Sequence, residues 1–279
     1  MKIKSMIRNV LKRIPGAWNL RMMLSAFRAP LKIILNSRKS MQKLKDCYSG
    51  KRCFIIGNGP SLTAEDLEKL KTEYTFAANK IYSIFPKTKW RPTFYCIQDE
   101  YVLREMDTED IIETSKQCRA TFIRMHSYHI IKKRMSEYCN IVFVPISSVR
   151  PKNGETGFSE RGTVIYDGNT VTYMSMQIAA CMGFSEIYLV GVDHNFPYHK
   201  TDDGKLEIND LSVASHFYDG AENNIGKEAW RWRTTFPHVT TSAYQAAEDY
   251  SRQNGFRIYN ATRGGKLEVF ERVNLDEIL

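Results

Sequence analysis

Apolar residues along this chain recur in two rhythms. Short continuous runs at 53–56, 74–78, 93–97, 120–124, 141–145, 186–191 and 256–260 have the length and the Ile, Val, Phe and Tyr content of buried strands. Between them, apolar positions spaced three and four apart predict helices over 63–72, 101–118, 127–137, 170–182 and 238–254. Residues 146–168 are rich in Gly, Ser and Pro and read as a long loop. Strands alternating with helices predict an α/β fold: an open, mostly parallel sheet with helices on both faces. Residues 194–237 are polar, irregular and aromatic-rich, too long for a connection, and read as a lid or substrate-binding excursion.

Ligands of such sheets sit beyond the carboxyl ends of the strands. That rule selects Gly57, Asn58, Gly59, Pro60 and Ser61 after the first strand, Asn79 after the second, Gln98 and Asp99 after the third, and Asp193-His194 after 186–191. The first group has the form strand, glycine turn, helix. Glycines let the backbone turn sharply and approach a ligand, and the following helix N-terminus suits an anion. The spacing is neither GxGxxG nor the Walker pattern. A tight strand-to-helix turn with no ligand is the alternative.

Charge changes the picture at one end only. Of the chain's 40 lysines and arginines, twelve lie in residues 1–45, which contain no acid. The remainder carries 28 cations against 31 acids, so the body is not basic. In the leader the cations alternate with Ile7, Val10, Leu11, Ile14, Leu20, Met23, Leu24, Phe27, Leu31, Ile34 and Leu35, interrupted near Pro15-Gly16 and Pro30. That pattern predicts amphipathic helices on an anionic membrane surface, at the inner face of the cytoplasmic membrane. Its competitor is an ordinary helix packed on the body with its cations solvated. Nucleic acid is disfavoured, because aromatics do not recur through the basic stretch. A division follows into a segment at 1–45 and a body at 46–279 with the lid at about 194–237.

No run of 18 apolar residues occurs, and the leader lacks the apolar core and cleavage site of a signal peptide. Six scattered cysteines show no metal spacing; Cys53, Cys96 and Cys181 sit in apolar runs and read as core residues of a protein in a reducing cytoplasm. No Asp-x-Asp closes a strand, and Asp202-Asp203 lies in a polar loop, so no metal site is expected.

Three blocks carry a resemblance: Ile55-Ile-Gly-Asn-Gly-Pro-Ser-Leu62, Asn79, and Tyr173 through Gly191-Val-Asp193. They resemble the bacterial sialyltransferases of glycosyltransferase family 42. The same pattern is similar to a broader family related to the archaeal 6-hydroxymethylpterin diphosphokinase and to flagellin glycosyltransferases. The resemblance covers roughly residues 52–262 and implies a Rossmann-like sheet of the GT-A-like variant. It also implies that Gly57, Asn58, Gly59, Pro60, Ser61 and Asn79 bind the CMP part of a CMP-sugar, with no metal or other cofactor required. His238, shortly before the last helix, is the implied general base, a role a histidine suits because its pKa lies near neutral. Homo-oligomers formed through exposed helices are a further implication.

Departures from the family pattern fall at the sugar end. The family's tyrosine after the Gly-x-Asp-x block is Asn195 here, leaving Tyr198 to steer the departing phosphate beside Asp193. The family's arginine before the long helix is Asp167, and its Thr-Ser-Gly segment is Asn169-Thr170-Val171. The donor sugar is therefore sialic acid, another nonulosonate or a Kdo-like sugar, and the acceptor a cell-surface glycan or glycolipid. Two alternatives stand beside this transferase. One is an ATP- and Mg²⁺-dependent diphosphokinase using Asp99, Glu100 and Asp193. The other is a non-enzymatic adaptor for a membrane or nucleic acid.

Overall fold

Every one of the seven apolar runs becomes a strand of a single sheet. The computed structural model describes residues 29–147, 157–162, 164–196, 198–200, 206–208, 216–217 and 237–279. Helix α1 (Leu31–Leu44) is followed by β1 (Arg52–Ile56), α2 (Ala64–Lys69), β2 (Thr75–Ala78), β3 (Phe94–Ile97), α3 (Glu100–Glu105), α4 (Thr108–Lys116), β4 (Ala120–Arg124) and β5 (Ile141–Val144). Then come α5 (Val171–Cys181), β6 (Glu186–Val190), α6 (Pro237–Gln253), β7 (Arg257–Asn260) and β8 (Glu271–Arg272). The sheet runs β8-β7-β6-β1-β2-β3-β4-β5, all parallel. The expected α/β fold is the one observed.

Parallel sheets bury both faces, which is why the runs are apolar without alternation. Cys53 and Ile55 of β1 join a core beneath α5 and α6, while Phe54 and Ile56 face one formed with Leu67 of α2 and Ile111 and Ile112 of α4. Nearly all of α5 is buried, as a helix apolar all round must be. Buried within it, Gln177 binds the segment that leads to the cleft. Its Oε1 accepts from the N–H groups of Ser159 and Tyr166, and its Nε2 donates to the Tyr166 carbonyl.

Three expectations need correction. The helix over 101–118 is two helices, because Asp107 caps a new start by accepting from Glu109 N at 2.8 Å. The helix over 127–137 shrinks to one α turn, Tyr128–Ile131, between 3₁₀ turns; only Met125, Ser127 and Ile131 are buried there, too thin a stripe to hold a longer helix. The loop at 146–168 contains a short parallel pair, Ile146–Ser147 with Ile165–Tyr166. Beyond the last of the seven runs, Leu267, Phe270 and Leu275 are also buried.

Residues 1–28 and most of the 194–237 excursion lie outside the described residues; within the excursion, Tyr198–Lys200 and Leu206–Ile208 pair antiparallel. The last part of the leader forms α1. One side of it packs on the body through Met41 and through Ser37, whose Oγ accepts from Phe143 N at 3.0 Å. Leu31 and Leu35 are exposed at 70% and 45%, among solvated Lys32, Arg38 and Lys39. No helix among the described residues is long and apolar enough to cross a membrane.

Replacing Gln177 by Leu keeps the volume but strands three backbone polar groups around residues 159–166. At 1–3 kcal/mol for each buried group left unpaired, and with partial relaxation, stability should fall by about 3 kcal/mol. A denaturant melt followed by circular dichroism reads the shift in midpoint; an unchanged midpoint would show that the Gln177 bridge contributes nothing.

Candidate functional site

The chain runs outward from β1 to β5 on one side of the sheet, then returns to place β6, β7 and β8 on the other. The switch point lies between β1 and β6, the place in an open α/β sheet beside which ligands bind. A cleft of ≈ 370 Å³ opens there and extends along the strand ends as far as Arg124 at the end of β4.

The two turns at the switch point are locked together. Gly57 N donates to Val190 O at 2.8 Å and Gly59 N to Gly191 O at 2.9 Å. A Cβ on Gly57 would overlap the Gly191 carbonyl, and one on Gly59 would overlap Asp193 Oδ2. These glycines are thus required by the neighbouring turn, whether or not a ligand approaches. Asp193 is buried, and its Oδ2 accepts from Ser61 Oγ at 2.8 Å and from Ser61 N at 3.4 Å. Burial pushes the Asp193 carboxyl above its ordinary value, partly offset by the Ser61 bonds.

A third element holds this turn, and sequence reasoning missed it. Thr262 Oγ1 accepts from Val192 N at 3.1 Å, and Lys266 N donates to Asp193 O at 2.7 Å. Gly265, at φ +72°, sits so close that a Cβ would lie 2.7 Å from Asp193 O. The signal available was Asn260-Ala-Thr followed by Gly264-Gly265 at the end of a strand, a turn pattern with no assigned purpose.

The helix start that faces the cleft is not the expected one. In α2 the first turn closes on itself: Thr63 Oγ1 accepts from Asp66 N at 3.2 Å, and Asp66 Oδ2 accepts from Thr63 N at 3.2 Å. That capping box takes up two of the N–H groups at this end and sets two acids, Glu65 and Asp66, in the first turn, which disfavours an anion. It is α5, with Asn169, Thr170, Val171 and Thr172 lining the cleft and no acid in its first turn, that points its positive end there.

Among the residues singled out from the sequence, Gly57, Asn58, Gly59, Asn79, Gln98, Asp99, Asn169, Thr170 and Asp193 all line the cleft. Pro60 and Ser61 are outside its lining, Ser61 being occupied with Asp193. Asp99 caps α3, its Oδ1 accepting from Tyr101 N at 2.6 Å. His238 is exposed at the second residue of α6 and is not part of the lining. The side chain of Tyr198 lies outside the described residues. His194, Arg124 and His216 also line the cleft; His216 adjoins Phe217, whose N–H donates to Asn58 O at 2.8 Å.

Two features single out the cleft as the candidate binding site. Asn79, Asn169 and His194 have φ of 51°, 59° and 51°, three of the five left-handed non-glycine residues described. Each such conformation costs on the order of 1 kcal/mol and persists where the surroundings impose it. Among the described residues, four buried side-chain atoms there also lack a hydrogen-bond partner: Asn58 Oδ1, Asn79 Oδ1, Asn169 Nδ2 and Asn195 Oδ1. Buried polar atoms are normally paired. Farther along, Asp167 Oδ1 accepts from Gln98 Nε2 at 3.0 Å and from Asn169 N at 2.9 Å, and its Oδ2 lies 3.6 Å from Arg124 Nη1.

The family model described as 6-hydroxymethylpterin diphosphokinase MptE-like matches residues 27–199. No curated protein sequence matches the chain. Among solved structures, MAf glycosyltransferase from Magnetospirillum magneticum AMB-1 is similar at 13% identity and a TM-score of 0.49, over 88% of this chain and 39% of that one. The sialyltransferase CstII from Campylobacter jejuni, solved with the substrate analogue CMP-3FNeuAc, is similar at 13% identity and a TM-score of 0.45, over 80% of this chain and 86% of that one. The sialyltransferase CST-II solved with a trisaccharide acceptor and CMP gives the same identity, TM-score and coverage.

The Asp193 carboxyl supplies a pH test. A carboxyl whose folded pKa is raised binds its proton more tightly in the native state, so stability falls as pH rises from the unfolded value through the folded one. Asp193→Asn should remove that slope, and its melting temperature relative to wild type should increase as pH rises through this window. A difference that stays constant with pH would show that Asp193 is not held in its raised state.

Proposed function

The chain belongs to the 6-hydroxymethylpterin diphosphokinase MptE-like family, and on that premise we propose that it is a glycosyltransferase. It takes sialic acid, another nonulosonate or a Kdo-like sugar from a CMP-activated donor and passes it to a cell-surface glycan or lipid-linked acceptor. The observation that carries this reading is the set of four unpaired asparagine atoms in the cleft. Three are carbonyl oxygens at the ends of β1, β2 and β6, which call for donors on the ligand; the ribose hydroxyls and the cytosine amino group supply them. The positive end of α5 then suits an anionic phosphate or carboxylate.

Length agrees with the proposal. From β1 to β4 the rim spans three strand spacings, about 14 Å, enough for a nucleotide followed by a sugar. Gln98, Asp167 and Arg124 stand at the sugar end, where the motif departs from the sialyltransferase pattern. Attack of the acceptor hydroxyl at the anomeric carbon, in line with departure of CMP, inverts the configuration. The reading requires no metal, since the positive end of α5 and Lys80 offset the phosphate charge. Residues 1–45 would hold the enzyme against an anionic membrane beside its acceptor. The family's description supplies a second reading, diphosphoryl transfer from Mg²⁺-ATP, but the strand-end carboxylate it needs at Asp193 is engaged by Ser61.

CMP without metal should raise the melting temperature of the full chain, by the equivalent of about 2.7 kcal/mol at a hundredfold excess over Kd. Asn58→Ala and Asn79→Gly should each weaken CMP binding about tenfold, the weight of one hydrogen bond. A shift with Mg²⁺-ATP and none with CMP would discard the transferase. Separately, vesicles containing phosphatidylglycerol should sediment the full chain at low salt while purely zwitterionic vesicles should not; equal behaviour on both would remove the membrane role.

A further inference from the structure

His194 follows Asp193 directly and lines the cleft. Its ring is held in place, tilted against Tyr244 with centroids 5.6 Å apart and edge-on to Phe196 at 5.1 Å. Its backbone adopts the left-handed conformation, φ +51°, uncommon for a residue with a side chain though less so for histidine than for most.

The hydrogen bonds around the ring fix its tautomer. His194 Nε2 lies 2.9 Å from Thr241 Oγ1. Thr241 Oγ1 in turn donates to the Pro237 carbonyl at 2.8 Å, one turn back along α6. A hydroxyl carries a single proton. With that proton on Pro237, Thr241 can only accept from the imidazole, so the hydrogen is on Nε2. A neutral ring then keeps its lone pair on Nδ1, which has no hydrogen-bond partner among the described residues.

We propose that His194 Nδ1 is the proton acceptor of the transfer reaction, an assignment that rests on the glycosyltransferase reading. The acceptor hydroxyl gives its proton to Nδ1, and its oxygen forms the new bond to the anomeric carbon. The bond from that carbon to the phosphate oxygen breaks, and its electron pair leaves with CMP. Nδ1 afterwards returns the proton to solvent, so the net products are the glycoside, CMP and one proton.

The surroundings favour the neutral ring that a base must present. Burial holds His194 below the ordinary histidine value. From α6 it faces Tyr244, whose hydroxyl burial pushes up to about 12. On its own loop the Asp193 carboxylate is turned to Ser61, and His216 lines the same cleft. Lys80, Asp99, Glu105, Arg124 and Asp167 belong to the β2–β4 end of the cleft. His238 stands exposed on the first turn of α6, outside the lining.

The test uses the full chain and two substitutions. His194→Gln can still donate to Thr241 but has no basic nitrogen; His194→Asn suits the left-handed backbone. Both should keep the CMP-induced thermal shift of the wild type. Both should slow CMP release from CMP-N-acetylneuraminate or CMP-Kdo by about 100- to 10,000-fold, with loss of the acid limb of the kcat/KM profile. In ¹⁵N-histidine spectra, the resonance missing from His194→Gln should report an Nε2–H tautomer that is neutral at pH 7.5. A hydrogen on Nδ1, or a protonated ring at that pH, overturns the assignment even where CMP binds. Wild-type release by His194→Gln alongside lost release in His238→Ala overturns it as well. A wild-type chain that shows no response to CMP brings down the transferase reading, and the role of His194 with it.

Discussion

The buried contact between Asp193 and Ser61 is the constraint on which the site depends. It joins the turn after β6 to the turn after β1 across the switch point, and it does so with a carboxylate held out of water. A buried carboxylate is tolerated only where hydrogen bonds replace its hydration. Ser61 supplies those bonds through both its hydroxyl and its backbone N–H. Nothing larger than glycine fits at 59 without displacing that carboxylate. Two glycines, one serine and one aspartate are therefore a single steric unit, although some 130 residues separate its halves.

Around that unit the sheet is rigid and fully parallel, and the cleft residues are held in conformations they would not choose alone. Left-handed Asn79 follows directly on β2, and left-handed His194 ends the turn after β6, four residues past Val190. The loop after β7 adds a second hold on the Val192-Asp193 backbone through Thr262, Gly265 and Lys266. The outcome is a set of asparagine side chains with polar atoms buried and unmatched. A rigid frame that leaves such groups unpaired loses stability, and a ligand that pairs them binds to a site needing little rearrangement.

Much of the architecture was legible in the residues. Continuous apolar runs such as Glu186–Val190 name their own secondary structure, since a strand buried on both faces has no polar side to show. The helix over 170–182 was equally plain, and the motif blocks pointed to the family that the comparison returned. Local competition was harder to see. Asp107 is a better start for a new helix than a link in an old one, so 101–118 broke there. The capping box of α2 is written in Thr63 and Asp66, yet only the folded turn shows both of its bonds closed.

By itself the sequence determined the strand–helix alternation, and with it the side of the sheet on which a ligand must bind. Those follow from short-range periodicity and from the right-handed connection of parallel strands. Tertiary structure alone decided which polar residues share the cleft. It turned Ser61 to structural work, carried α5 rather than α2 to the ligand side, and set His194 against Thr241 from a helix 47 residues away. Each of those outcomes is a long-range hydrogen bond or a steric contact between distant turns. No local pattern encodes them, because their partners are chosen by the order of strands in the sheet.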